Sequence, residues 1–342
     1  MGEAFKYIFG PVMSGRLGRS LGLDLLGRRV CSMNCVYCES GPLQTLTTRR
    51  APYVPASDIL GELEAWEQAR RERGEPLPDV VTLGGMGEPT LNSELPEIIA
   101  GVRRIFSTRQ GPGVPVAVLT NSSLMTDPQV RAELMQADIV LPSLDALVTG
   151  EYAAVNRPHP GLDPEAVARG ILDFRREFGG KIWLEILLVA GVNDSAANLE
   201  RLEAYCRELA PDRVDVVTLS RPGTEALARA VDGDTLARWR AVLTPLARPA
   251  RTSEGQAREG LASGAEKGQV PTGGTVQEPA QAGAAILASL ARRPQTAGQL
   301  AQALLIPEQS VQRVLDRLLA EGAVERRQDG PATFFQARAV GN

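Results

Sequence analysis

Three of the chain's four cysteines, Cys31, Cys35 and Cys38, fall in a C-x3-C-x2-C pattern inside RRVCSMNCVYCE at 28–39. Thiols spaced this closely suggest convergence on one inorganic centre. Cysteine thiolates are preferred protein ligands of iron–sulfur clusters, and a [4Fe–4S] cube with three local ligands keeps one iron open for chemistry. Zinc is the rival, but closed structural zinc sites draw on C-x2-C pairs and need a fourth protein ligand. Here only Cys206 or His159, the single histidine, would supply it. A disulfide framework suits short secreted chains and would leave an odd thiol in the group. This chain has 342 residues and starts without a basic region followed by an apolar one.

The cysteines do not stand alone. Tyr37 precedes the third, and further segments follow in order: FGPVMSGRLGRSLGLDLL at 9–26, LGGMGEPTL at 83–91, LTNSSLM at 119–125, VLPSLDA at 140–146, NRPH at 156–159, GVND at 191–194 and SRPGTE at 220–225. Over roughly the first two thirds of its length the chain resembles the radical S-adenosylmethionine (SAM) superfamily. Within it, the resemblance is to the iron–sulfur oxidoreductases related to the radical SAM part of the wybutosine-synthesis enzyme. It implies that Cys31, Cys35 and Cys38 hold a [4Fe–4S] cluster whose open iron chelates the amino and carboxylate groups of SAM. It further implies that Gly85, Gly87, Glu88 and Pro89 hold the amino group, that Asn121, Ser143 and Asp145 contact SAM, and that Tyr37 lines the adenine side. The sequence departs from that enzyme in having no flavodoxin-like domain and no cysteines for a second cluster. Its reaction is therefore not carried over, and an external one-electron donor, flavodoxin- or ferredoxin-like, is expected.

Residue by residue, the same positions carry a plainer reading beside the functional one. Glycines at 85 and 87 let the backbone approach a ligand, yet a Gly-rich turn with Glu88 in solvent would read alike; the missing third glycine argues against a dinucleotide fingerprint. Asn121, Ser143 and Asp145 are short hydrogen-bonding side chains suited to a ribose or carboxylate, and equally to helix caps and turns. Glu185 interrupts the apolar run IWLEILLVA and, if it faces inward, needs a partner or a ligand. Asn193 and Asp194 face the substrate or cap the next helix. Arg157 outranks His159 as a substrate contact, because a guanidinium binds carboxylate or phosphate bidentately. Cys206 shares a helical stripe with Leu199, Leu202 and Leu209, which makes it a core residue.

These segments need a scaffold that brings them to one place. Strands are expected at 20–26, 80–84, 115–119, 138–142, 182–189 and 213–219, and helices at 57–73 (N-cap Ser57), 127–136, 164–178 and 196–209. Near-continuous apolar strands alternating with amphipathic helices imply a parallel sheet covered on both faces. Six units make an α/β fold, a partial (β/α)6 TIM-like barrel, and in such barrels the working residues gather at the carboxyl ends of the strands.

Composition divides the rest. The expected domains are a radical SAM partial barrel over 1–250, a linker over 251–280, whose six Gly, two Pro and few apolar residues cannot form a core, and a winged-helix domain over 281–342. The last reads as helices 282–292, 296–305 and 308–321 followed by a hairpin over 323–338. Its third helix buries Val311, Val314, Leu315, Leu318 and Leu319 and turns Gln309, Gln312, Arg313 and Arg317 outward, types that read a major groove. Seven Arg against five acids in 281–342 is thin for phosphate neutralisation, so a protein partner is as open as nucleic acid. The net charge of −4 gives no global footprint for polyanions. No apolar run approaches the roughly 20 residues of a membrane span, and reduced cysteines suit the cytoplasm. Two functions are expected: a radical SAM enzyme acting on an unidentified substrate, RNA or protein among them, or an iron–sulfur, SAM-binding sensor with a DNA-binding winged helix.

Overall fold

The computed structural model describes residues 5–107, 113–219, 225, 228–248, 279–292, 294–304, 306–329 and 332–338. In chain order these form β1 (Ile8–Ser14), β2 (Gly18–Asp24), the two-residue strands β3 (Val30–Cys31) and β4 (Thr45–Leu46), α1 (Ala56–Glu72), β5 (Val80–Gly84) and α2 (Leu95–Ile105). They continue with β6 (Val116–Thr120), α3 (Pro128–Leu134), β7 (Ile139–Pro142), α4 (Thr149–Asn156), α5 (Pro164–Glu177), β8 (Lys181–Leu188), α6 (Ala196–Leu209), β9 (Arg213–Thr218) and α7 (Gly233–Leu243). The last group is α8 (Pro279–Arg292), α9 (Ala297–Leu304), α10 (Glu308–Ala320), β10 (Val324–Asp329) and β11 (Ala332–Ala337).

Seven strands form one curled sheet in the order β1-β2-β5-β6-β7-β8-β9. The six from β2 onward are parallel, as the alternation of strands and helices requires, and β1 joins β2 antiparallel as an additional edge. The sheet is an open half-barrel. Alternation along each strand separates two apolar layers. Val81, Leu83, Val118, Val140, Leu184 and Ile186 pack outward with Ile59, Leu63, Ile98, Ile171 and Phe174 of the helices in the main core. Val80, Ala117, Ile139, Leu141 and Trp183 face inward and close over Leu17, which the β1–β2 turn inserts among them as a floor.

Local chemistry sets the helix starts. Asp127, Asp163, Ser195 and Asp232 each cap a helix by accepting from a backbone N–H two or three residues on. Helix α1 departs from the sequence reading. Pro55, not Ser57, stands at its N-cap, and the free Ala56 N–H is taken by Glu94 Oε2 at 2.6 Å. The helix can start there because proline's fixed φ suits the entry to a helix.

Residues 279–338 build the winged helix: α8, α9 and α10 close over Ile286, Leu290, Leu300, Val311, Val314, Leu315 and Leu318, with β10 and β11 paired antiparallel as the wing. Gln309, Gln312, Arg313 and Arg317 are exposed. Leu319 is only partly buried. The linker expected at 251–280 lies outside the described residues up to 278, as do the hairpin tip at 330–331 and the SRPGT stretch at 220–224. Among the described residues no helix is long and apolar enough to cross a membrane.

Candidate functional site

The cysteine loop follows β2 and is held on two sides. On one side the 84–88 loop grips its entry, with Val30 N–H donating to Met86 O (3.2 Å) and Glu88 N–H to Val30 O (3.2 Å). This is what the glycines are for. Gly87 has φ +151°, and a Cβ there would stand 1.7 Å from Val30 O; Gly85, at φ +102°, is pressed against Asp24. The close backbone neighbours of these glycines are the cysteine segment and the end of β2, and both glycines also line the cavity expected to take the ligand. On the other side the 155–159 segment is hydrogen-bonded to the loop backbone.

One cavity of about 1900 Å³ occupies the half-barrel mouth and interior, lined by all three cysteines together with Tyr37, Gly85, Gly87, Glu88, Asn121, Ser143 and Glu185. Seven of the nine expected cofactor-binding residues therefore share one space with the expected ligands. Pro89 and Asp145 do not line it. Pro89 opens a buried 3₁₀ turn. Asp145 is 1 % exposed and its carboxylate is taken by the Tyr37 hydroxyl (2.5 Å), Asn156 Nδ2 (2.7 Å) and Leu187 N–H (2.8 Å). The phenol expected to lie against adenine is thus anchored from behind by an acid.

Glu88 is also more occupied than its sequence reading implied. Oε1 accepts from Thr90 Oγ1 (2.6 Å) and Thr120 Oγ1 (2.7 Å), and Oε2 from Asn121 N–H (2.7 Å), tying the 83–91 loop to the end of β6. Burial nevertheless pushes its carboxyl above the usual range. Glu185 faces inward with Trp183 and Leu187, and its partner is Arg16 from the β1–β2 turn. Nothing in the pattern of 9–26 signalled that pairing, because it joins residues 169 positions apart. Arg157 turns away to pair with Glu225, and His159 Nδ1 meets its neighbour's carbonyl at Pro160; neither lines the cavity.

The thiols fit a cluster. Burial pushes Cys31 up to about 12 and Cys35 further still, with Glu88 acting on the first and Cys31 on the second as negative neighbours. Thiols so placed keep their protons until a coordinating metal displaces them. Asn121 Nδ2 aims at Cys31 Sγ (3.4 Å) and Asn156 Nδ2 at Cys35 Sγ (3.5 Å), the N–H···S contacts that ligating sulfurs receive. Among the described residues no three His, Cys, Asp or Glu side chains are gathered tightly enough to hold a single metal ion. A cube makes no such demand, since each cysteine takes a different iron. Cys206 is fully buried in the main core on α6, away from the cavity. Cys206→Ala is expected to leave iron content unchanged while costing about 1 kcal/mol in urea unfolding, the scale of one lost core group; a fall in bound iron would restore it as a ligand.

Burial raises the Asp145 carboxyl from 3.8 to about 6, against the hydrogen bonds from Tyr37 and Leu187 N–H. Between those values the folded chain holds a proton that the unfolded chain has released, so this group withdraws stability as pH rises from 4 to 6 and not beyond. In the metal-free chain, Asp145→Asn should lessen the fall of the urea midpoint across that window; an unaltered pH profile would refute it.

With fold and cavity in view, comparison with known proteins gives the class. A model of the radical SAM superfamily matches residues 28–203, just over half the chain, and the chain belongs to that superfamily. Its cofactors are a [4Fe–4S] cluster and SAM. Among individual relatives, the UPF0026 protein slr1464 of Synechocystis is 36% identical over 226 residues, covering 65% of this chain and 77% of its own. A protein described as GTPase Obg, from Brachyspira hyodysenteriae, is 34% identical over 231 residues, but the match spans 68% of this chain and only 32% of that one. A crystal structure of a radical SAM methyltransferase from Sphaerobacter thermophilus superposes with a TM-score of 0.48 at 22% identity, covering 66% of this chain and 62% of that one. A MarR family model matches residues 283–332, within the winged helix.

Proposed function

We propose that this radical SAM enzyme binds its cluster through Cys31, Cys35 and Cys38 and cleaves SAM reductively to abstract hydrogen from a substrate, RNA or protein among the candidates. Held by these three thiolates, a [4Fe–4S] cluster would supply the one-electron reduction that cleaves the sulfonium carbon–sulfur bond of SAM to methionine and a 5′-deoxyadenosyl radical. The observation that carries the reading is the shared cavity: the three thiols and the ends of β5, β6, β7 and β8 face the same volume. Asn121 and Ser143 offer polar groups for SAM, and the Gly85–Gly87 backbone shapes the wall beside the cysteines. Glu88, on the cavity wall, fixes Asn121, and Asp145, outside the cavity, fixes Tyr37. Glu185 contributes a polar contact on the opposite wall, held by Arg16. A reactive radical requires water to be kept from the reacting atoms, which the half-barrel walls would do once SAM and substrate fill the mouth.

The electron comes from an external donor of flavodoxin or ferredoxin type, and the winged helix recruits the substrate-bearing partner, nucleic acid or protein. A bare redox sensor built on the same parts is not favoured, because sensing through a cluster needs the cysteines alone and leaves the other strand ends without a task. The test is anaerobic reconstitution with iron and sulfide followed by dithionite and SAM. Formation of 5′-deoxyadenosine that depends on dithionite supports the proposal. A loaded chain that binds SAM but never cleaves it, with or without cellular RNA or protein extract, would sink it.

A further inference from the structure

The NRPH segment remains without a task, since neither Arg157 nor His159 reaches the cavity. Its backbone has one. Asn34 N–H donates to Asn156 O (3.0 Å), Val36 N–H to Val155 O (3.0 Å) and His159 N–H to Ser32 O (2.8 Å), so residues 155–159 run along the cysteine loop and close its far side. Helix α4 presents this segment. Tyr152 and Val155 pack into a small apolar cluster with Cys31, Met33 and Val36, while Arg157 ends the helix in the left-handed conformation, φ +44°. A turn at that point lets the chain fold back over the loop.

At the centre of the clamp lies the side chain of Asn156, 4 % exposed. Its Nδ2 donates to Cys35 Sγ (3.5 Å) and to Asp145 Oδ2 (2.7 Å). An ionised carboxylate only accepts, so the amide nitrogen must face Asp145, and the same nitrogen then addresses the sulfur. Asp145 in turn holds Tyr37, two residues beyond Cys35, and Leu187 at the end of β8. We propose that Asn156 is the positioning residue of the cluster: it fixes the Cys35 sulfur and, through its N–H, raises the reduction potential. The electrostatic reason is that a donated N–H stabilises the more negative, reduced cluster more than the oxidised one. The inference rests on the cluster assignment made above and adds to it the residue that tunes the centre.

The experiment compares wild type, Asn156→Ala, Asn156→Ser and Arg157→Asn after anaerobic reconstitution, by iron content, electron paramagnetic resonance and redox titration. In the Asn156 variants the ratio of reduced to oxidised cluster at a fixed solution potential should fall about tenfold, equal to 59 mV for one electron. Arg157→Asn, which loses only the exposed pair with Glu225 and keeps a residue tolerant of positive φ, should titrate with wild type. Iron-loaded Asn156 variants with wild-type potential and spectra would overturn the proposal. Failure of both variants to load iron, with the apo circular dichroism and urea midpoint of wild type, would support the clamp. Failure to load with an unfolded apo chain would overturn it, placing Asn156 among residues needed for the fold. If wild type itself takes up no cluster, the functional reading falls first.

Discussion

Cys35→Ala is expected to abolish 5′-deoxyadenosine formation, to below one thousandth of the wild-type rate, and to reduce bound iron sharply. A thousandfold loss corresponds to about 4 kcal/mol of barrier, and loss of a ligand that the other residues cannot replace exceeds it. No substitute is at hand. Cys206 is locked in the core, His159 bonds its own neighbour, and Glu88 already accepts hydrogen bonds on both oxygens. The middle ligand is the informative one, because its sulfur is the one addressed by Asn156. Chromatography of the reaction beside iron analysis checks the prediction. A variant that keeps both iron and turnover would show that the centre is held elsewhere.

The second large effect is on the fold of the same loop. Gly87→Ala would place a Cβ 1.7 Å from the backbone oxygen of Val30 and 2.7 Å from Leu26 Cδ1, at a φ of +151° that side-chain-bearing residues rarely adopt. The obstacle is backbone, not the end of a flexible side chain, so one of the two loops must move. That breaks the pairing of Val30 with Met86 and Glu88 that positions Cys31. A destabilisation of about 4 kcal/mol or more is expected, in the range that marks a structural clash, together with loss of cluster loading. Urea unfolding of the metal-free chain measures the first. A midpoint close to wild type would mean that the loops are not pressed together as described.

What the sequence disclosed, and what it withheld, follows from how local each signal is. Cys31, Cys35 and Cys38 were legible because their spacing is itself the chemistry. The six parallel strands were legible because burial on both faces writes a near-continuous apolar run, broken only by Thr82 in Val80–Gly84 and by Glu185 in 182–188. β1 was not, since IFGPVMS carries Gly10-Pro11 and no clean alternation. Helix α4 was missed because TGEYAAVN has only a weak apolar face, and it becomes a helix by packing Tyr152 and Val155 under the cysteine loop. The winged helix was visible in its heptad-like stripe at 311–318 and its paired strands.

At the site, the residues named were mostly the ones that meet, while their partners were hidden. Glu185 was identified as an acid in need of company, but Arg16 comes from a turn that only the sheet's curl brings across. Glu88 and Asp145 were read as ligand contacts from their positions after strands. Folding gives each carboxylate protein donors, with Glu88 on the cavity wall and Asp145 outside the cavity. Asn156 was within a quoted motif yet passed over, because its value lies in touching Cys35 and Asp145 together, a conjunction that no spacing encodes.

The most direct test of the central claim, that three cysteines hold a cluster with one iron left open to SAM, is the electron paramagnetic resonance spectrum of the dithionite-reduced, reconstituted chain with and without SAM. A [4Fe–4S]⁺ signal is expected whose g-values shift when SAM is added and which is absent in Cys35→Ala. A cluster signal that SAM leaves unchanged at saturating concentration, or reconstitution that yields bound zinc and no cluster, would contradict it.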